Sequence, residues 1–291
     1  MCITRVLTYN KVTDIMRLSE IYTYTCVCVC VEQKRGGKAM KTIAIVNQKG
    51  GVAKTTTALA LSSGLVMRGK KVLMIDLDAQ CSLTDSVLKK HNDDCCTTLQ
   101  ILSGEDRIAG NIIHTEFGDL LQACELLMKA DKLIDDEGRS FHLRDALDEA
   151  KLDYDYIIID TPPHTGVCMY NALVAADECI VPVEAAFYSL KGLDDMAVTW
   201  RTVVKYSNPN IKIQGILLTR HTPRTNISRE LTELFEKIAV NLGTKVYKTK
   251  IRECSALKEA VALRTPIYKH KPDSNAAHDY SEFVEEVLEA E

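Results

Sequence analysis

Two lysines and a threonine stand in a glycine-containing stretch whose spacing suits phosphate binding. The stretch reads Lys49-Gly50-Gly51-Val52-Ala53-Lys54-Thr55-Thr56. Adjacent glycines allow successive backbone N–H groups to point at one anion, and a helix beginning there adds its positive dipole end. Lys54 can place a charge between the outer phosphates of a nucleotide, and the Thr55 hydroxyl can hold Mg²⁺. We therefore predict that residues 49–56 form a nucleotide-binding loop.

Three aspartates follow apolar stretches that are typical of buried strands. Asp76 and Asp78 come after the apolar run 72–75, and Asp160 follows the run 156–159. In open α/β sheets, ligands bind at the carboxyl ends of the strands. We therefore expect Asp160 to bind Mg²⁺ through water together with Thr55. Asp76 and Asp78, two residues apart, suit the acidic groups around Mg²⁺ and an attacking water.

The loop departs from the common phosphate-loop pattern, because Gln48 and Ala53 occupy its two glycine positions. K-G-G-x-x-K-T, followed by D-x-D-x-Q and D-T-P-P, resembles the deviant Walker A ATPases of the ParA/MinD family over about residues 40–290. The resemblance implies ATP and Mg²⁺ as ligands and an ATP-bound homodimer. In that dimer Lys49 reaches the partner's nucleotide, and Asp78 orients the attacking water. The implied catalytic residues are Lys49, Lys54 and Asp78, and the implied metal residues are Thr55, Asp78 and Asp160.

Apolar runs alternate with segments of helical periodicity, which predicts an α/β fold. We expect the three-layer fold of P-loop nucleotide hydrolases, a twisted and mostly parallel sheet between helices. Further strands are predicted at 119–121, 180–183, 213–219 and 246–252. From their position at the end of a strand, Thr219 and Arg220 are expected to contact the adenine ring.

The charge distribution is uneven although the net charge is only −4. Residues 200–272 hold fifteen Lys/Arg and five Asp/Glu, whereas residues 273–291 hold seven acids and no bases. Such a basic segment is either a footprint for DNA or a solvated face. Residues 223–230 resemble a stretch of chromosomal ParA (Soj) proteins in which the first arginine, here Arg224, belongs to a nonspecific DNA surface. Arg252 and Lys258 are further DNA-contact candidates, although the Soj-like motif around them is not matched.

Residues 1–39 differ in pattern from the rest, and we expect an extension before an ATPase domain at 40–291, with Met40 as the natural start. The 11 cysteines include no C-x-x-C pair, and no apolar run approaches the roughly 20 residues of a membrane span. We therefore expect a cytoplasmic protein that is not associated with a membrane, and the resemblance implies that it associates with the nucleoid.

The favoured interpretation is a partition ATPase that is stimulated by a ParB-like partner and segregates a chromosome, plasmid or mobile element. A MinD-like membrane ATPase is an alternative, but it needs a basic amphipathic carboxyl-terminal helix, and residues 282–289 are acidic. A second alternative is an iron–sulfur reductase of the nitrogenase iron protein type. It needs two cluster cysteines per subunit, for which Cys168 with Cys124, or the pair Cys95-Cys96, would be the candidates.

Overall fold

A computed structural model describes residues 40–92, 94–186, 188–222 and 226–290, with the side chains of 226–228 left undescribed. The extension predicted at residues 1–39 and the DNA-contact candidate Arg224 lie outside these residues.

Six parallel strands form the central sheet of the described chain. They are β1 (Lys41–Ile45), β2 (Val72–Asp76), β3 (Asp119–Leu121), β4 (Tyr156–Asp160), β5 (Glu178–Glu184) and β6 (Lys212–Thr219). Their order is β3-β2-β4-β1-β5-β6, and every pair is parallel. Asp160 pairs in register with Ile45 on one side and with Asp76 on the other. The carboxyl ends of the three central strands therefore lie side by side, and the predicted fold class is confirmed.

Helices cover both faces of the sheet, which is why the strands are continuous apolar runs. The helices are α1 (Lys54–Met67), α2 (Ser82–Val87), α3 (Thr98–Leu102), α4 (Ala130–Leu133), α5 (His142–Ala150), α6 (Val167–Ala175), α7 (Ser189–Tyr206), α8 (Asn226–Asn241), α9 (Ser255–Ala262), α10 (Ile267–His270) and α11 (Asn275–Leu288). A 3₁₀ helix, Glu125–Lys129, precedes α4. Helices α1, α9, α10 and α11 pack on one face, and α3 with α5 to α8 on the other.

The strand predicted at 246–252 is wrong. This segment makes only single bridges to the sheet, from Val246 to Ile216 and from Arg252 to His221. The amides of Tyr247 and Ile251 donate to β6 carbonyls at 3.0 and 2.8 Å, whereas the Glu286 carboxylate accepts from the N–H groups of residues 248 and 249 at 3.0 and 2.6 Å. Helix α11, which carries Glu286, therefore binds two amides that lie between the points where this segment pairs with β6.

The last helix, α11, is part of the core. Tyr280, Phe283, Val284 and Val287 are fully buried, and the Tyr280 hydroxyl lies 3.2 Å from that of Thr57 on α1. Its apolar side is thus covered by the protein itself. Within the described residues, no helix has the length and apolar character needed to span a membrane.

Candidate nucleotide-binding site

The predicted loop connects β1 to α1, so its backbone N–H groups surround the amino end of a 14-residue helix. Gly51 has a φ of 74°, which glycine adopts without cost. Ala53 also has a left-handed backbone, with φ 68°, a conformation that costs a non-glycine residue about 1 kcal/mol. Ala53 stands where the common pattern has glycine and keeps the conformation that glycine favours. Local strain of this kind concentrates at functional sites.

Lys54 is the buried cation of the loop, with 7% of its surface exposed. Its ammonium donates to the Lys49 carbonyl oxygen at 3.3 Å. Burial lowers the pKa of Lys54, and the nearby carboxylates of Asp160 and Asp78 oppose that effect. An ammonium held with so little solvation favours a strong anionic ligand such as a phosphate.

Thr55 and Asp160 meet at the carboxyl end of β4. The Thr55 hydroxyl donates to Asp160 Oδ2 at 2.6 Å. The other oxygen, Oδ1, is buried and has no hydrogen-bond partner among the described residues. Burial, with the neighbouring Asp76, raises the pKa of Asp160 to about 8. An unpaired buried carboxylate oxygen beside a hydroxyl is an oxygen donor set that fits Mg²⁺.

Asp76 and Asp78 have different roles in the structure. The Asp76 carboxylate accepts from the Thr84 N–H at 2.9 Å and the Thr84 hydroxyl at 2.7 Å. Burial raises the pKa of Asp76 to about 6, and the bonds from Thr84 oppose the rise. Asp78 instead faces the open cavity beside the loop. The structure therefore leaves Asp78, and not Asp76, available to a ligand or a water molecule.

A cavity of about 600 Å³ opens above the loop, which suits a nucleotide. Its loop side includes Gly50, Gly51, Ala53, Lys54, Thr55 and Thr56. Its far side includes Thr219 and Arg220, which were predicted to contact the nucleotide. Ile251, Cys254 and Leu257 also lie on this side, and no sequence pattern had indicated them. These three residues give the far side an apolar surface on which a base can lie.

Val52 and Thr219 connect the two sides of the cavity. The Thr219 hydroxyl donates to the Val52 carbonyl at 3.2 Å, so the end of β6 supports the loop. Arg220, with φ 50°, follows at the rim, and its guanidinium lies 4.0 Å from Glu184. Both predicted residues thus border the cavity, and their contact with adenine stays a prediction.

Arg252 and Lys258, which the sequence analysis selected as DNA-contact candidates, line the same cavity. The Arg252 guanidinium also forms an ion pair with the Asp279 carboxylate, which offsets much of its positive charge. Their position ties both residues to the nucleotide site, and their role in DNA contact stays a prediction.

Lys49, at the start of the loop, points away from this cavity. Its ammonium lies 3.3 Å from Glu184 Oε2 and 3.1 Å from the Ser189 hydroxyl. The side chain is partly exposed, with 32% of its surface accessible. Lys49 is therefore partly exposed at the surface beside the loop.

Fold and site together define a P-loop ATPase, and comparison with known proteins gives its family. Residues 40–213 match the AAA domain family model AAA_31. The chain is 37% identical over 252 residues to the sporulation initiation inhibitor protein Soj of Bacillus subtilis, covering 85% of this chain and 98% of that protein. It is 32% identical to the chromosome partitioning protein ParA of Myxococcus xanthus, covering 85% and 88%. The chain belongs to the Soj/ParA family of chromosome-partitioning ATPases.

A solved structure links the fold to its ligands. Cobyrinic acid a,c-diamide synthase from Mycobacterium smegmatis, with a bound ATP analogue and magnesium, superposes with a TM-score of 0.74 and 30% identity. The match covers 86% of this chain and 95% of that one. A protein of the same fold thus holds the two ligands that the residues of this loop suggest.

Cys168, the first candidate ligand for an iron–sulfur cluster, is buried on α6. Burial raises the pKa of the Cys168 thiol to about 12, which disfavours the thiolate that binds iron. Among the described residues, no group of three or more His, Cys, Asp or Glu side chains is arranged to hold a metal ion. The geometry thus favours the nucleotide site over the reductase alternative.

Proposed function

We propose that this chain is a partition ATPase that binds MgATP, dimerises around it, and binds DNA without sequence preference. The observation that carries the proposal is Lys54 and Thr55 at one cavity, with the buried Asp160 hydrogen-bonded to Thr55 and a second lysine, Lys49, partly exposed at the start of the loop. Membership of the Soj/ParA family supports the same function.

Each residue has a distinct task in this proposal. Lys54 and the loop amides bind the phosphates, while Thr55 and Asp160 hold Mg²⁺, which neutralises charge on the phosphates. Asp78 orients the attacking water. Lys49 of each subunit stabilises charge on the nucleotide of the other. Positioning and charge stabilisation account for most of the rate enhancement in phosphoryl transfer.

Replacing Asp78 with alanine should slow hydrolysis and leave ATP binding and ATP-dependent dimerisation intact. Asp78 borders the cavity and forms no hydrogen bond with Lys54 or Thr55. Its loss should therefore leave phosphate binding intact, while the attacking water is no longer oriented. We expect turnover to fall roughly tenfold to 100-fold. Phosphate release, ATP titration and light scattering measure the three properties.

The matched control is Asp94→Ala, an exposed aspartate outside the cavity, which should behave like the wild type. A D78A variant with normal turnover, or one that no longer binds ATP, would contradict the role proposed for Asp78.

A basic cleft beside α8 is the best-supported part of the DNA surface. It has a volume of about 630 Å³ and is lined by the cations Arg229, Lys248, Lys250 and Arg252, with the acids Glu233 and Glu282 also on its surface. Arg229 and Lys248 are exposed. A dimer would carry two such clefts, and the contacts of both with DNA phosphates would contribute to the affinity. Because these contacts are ionic, the binding would weaken as the salt concentration rises. We therefore propose that these residues contact DNA together with Arg224.

The variant K248E/K250E should bind DNA at least about tenfold more weakly than the wild type, with a shallower salt dependence. The loss should be similar for unrelated sequences, because phosphate contacts carry no sequence information. Fluorescence anisotropy with duplexes of two different sequences, in ATP and at several salt concentrations, measures both effects.

The control K129E/K132E makes the same charge change on exposed residues away from the cleft. Dimerisation of each variant is checked first, because DNA binding depends on it. Equal losses in both double variants would show a general charge effect and would contradict a specific cleft.

The proposal also includes a ParB-like partner that stimulates hydrolysis, and a cytoplasmic, nucleoid-associated location. The DNA-binding protein encoded nearest to this chain is the natural test. With DNA present, adding it should raise ATP turnover, and its identity would assign the cargo to a chromosome, a plasmid or a conjugative element.

Membrane attachment is the competing function. The carboxyl-terminal helix that a MinD-like protein would use is α11, and its apolar side is buried against α1. Its exposed residues include Glu282 and Glu285, which anionic lipid repels. Flotation with anionic vesicles should therefore leave the protein in the lower, lipid-free fraction with or without ATP.

A further inference from the structure

The loop is fixed to β5 and α7 at the point where Lys49 leaves it. Asn47 donates to the Pro182 carbonyl at 2.8 Å and accepts from the Lys49 N–H at 2.8 Å. Gln48 donates to the Thr199 hydroxyl at 2.7 Å. A Cβ added to Gly192 would lie 3.2 Å from the Lys49 Cβ, so α7 packs tightly against the loop backbone. The main chain of Lys49 is therefore held, and only its side chain can change partners easily.

That side chain is bound inside its own subunit. The ammonium contacts Glu184 and Ser189, which end β5 and begin α7, and none of these three residues lines the nucleotide cavity. Glu184 also lies 4.0 Å from the Arg220 guanidinium, so its carboxylate holds two cations at this surface. We call this arrangement of Lys49 on Glu184 and Ser189 the parked position.

We infer that Glu184, assisted by Ser189, is a positioning residue that retains Lys49 in the parked position and so opposes nucleotide-dependent dimerisation. The inference rests on the proposed function, in which Lys49 must reach the phosphates of the second subunit. To do so, the ammonium exchanges the Glu184 carboxylate for phosphate oxygens. The parked contacts stabilise the monomer, and they are lost when the dimer forms. The free energy that they contribute to the monomer therefore lowers the stability of the dimer by the same amount.

The expected size follows from the exposure of the pair. Lys49 and Glu184 retain 32% and 31% of their side-chain surface, so the pair is screened by solvent. Pairs of this kind change an equilibrium roughly twofold to fivefold. A symmetric dimer releases two parked lysines, and the effect is therefore squared to roughly fourfold to 25-fold.

The test compares dimer dissociation constants of the wild type and Glu184→Gln, measured by analytical ultracentrifugation with a non-hydrolysable ATP analogue and Mg²⁺. Glutamine keeps the size of the side chain and removes its charge. The E184Q dimer should be roughly fourfold to 25-fold tighter, whereas nucleotide affinity of the dilute monomer should not change. Ser189→Ala removes a parked contact without changing charge and should tighten the dimer in the same direction, by a smaller factor.

Asp194→Asn is the matched control, because Asp194 is an exposed carboxylate on α7, lies outside the nucleotide cavity and is not a partner of Lys49. It should dimerise like the wild type. Equal tightening in D194N and E184Q would show a general effect of removing negative charge from this surface, and would overturn the inference. Wild-type dimerisation of both E184Q and S189A, or a weaker E184Q dimer, would also overturn the inference. In either case the proposed function would stand. A wild type that remains monomeric with the analogue would overturn both.

Discussion

Replacing Lys54 with alanine should reduce ATP affinity roughly 1000-fold and abolish ATP-dependent dimerisation. Lys54 is the buried cation of the loop, and its ammonium has exchanged most of its water for a bond to the Lys49 carbonyl oxygen. Hydrogen bonds between charged groups contribute about 1.5–3 kcal/mol each, and the lysine can make more than one to the outer phosphates. Isothermal titration with ATP and Mg²⁺ measures the affinity, and light scattering measures the dimer.

Lys258→Ala is the appropriate control for this experiment. Lys258 lines the same cavity from α9, but it is exposed and lies on the far side from the loop. Its loss should change ATP affinity only slightly. If K54A bound ATP and dimerised like the wild type, the loop would not be the phosphate site and the proposed mechanism would be wrong.

The near side of the site could be predicted because its chemistry is local in sequence. Lys49, Lys54 and Thr55 lie within seven consecutive residues, and the turn between β1 and α1 brings them together without help from distant segments. Asp160 could be predicted because a parallel sheet aligns the carboxyl ends of its strands. The register of β4 with β1 places it beside the loop.

The far side could not be predicted in the same way. Ile251, Cys254 and Leu257 border the cavity because the segment before α9 is held by side chains of α11, notably Glu286 and Asp279. Strand periodicity describes bonds between neighbouring backbones, and it does not indicate that the Glu286 carboxylate binds two amides in the middle of such a segment. The same limitation led to the wrong strand prediction at 246–252.

The contacts of Lys49 in the parked position could not be predicted from the sequence either. The motif indicates that this lysine is functional, but its partner Glu184 is 135 residues away. Glu184 stands at the end of β5 opposite Thr219, so the sheet register brings it to the loop. Only the order of the strands, with β5 next to β1, makes that contact possible.

The metal-free protein should lose stability as the pH rises from 6 to 8, and Asp160→Asn should remove most of this dependence. Burial raises the pKa of Asp160 from 3.8 to about 8 in the folded state. Between these values the folded state holds a proton that the unfolded state has released, so unfolding becomes more favourable as the pH rises. For one such group the loss between pH 6 and 8 is about 2 kcal/mol.

Urea denaturation at pH 6, 7 and 8, with EDTA and without nucleotide, measures this loss. Asp94→Asn changes an exposed aspartate and should follow the wild type at each pH. Parallel curves for the wild type and D160N would contradict the origin proposed here.

The same proton should couple stability to the metal. Mg²⁺ and the proton compete for the Asp160 carboxylate, whose Oδ1 is buried and has no hydrogen-bond partner among the described residues. Mg²⁺ with nucleotide should therefore bind more tightly at pH 8 than at pH 6 and should release a proton on binding. Calorimetry in two buffers of different ionisation enthalpy counts that proton. D160N should release none at this site and should bind Mg²⁺ weakly at every pH, since the carboxylate that attracts the metal has become a neutral amide.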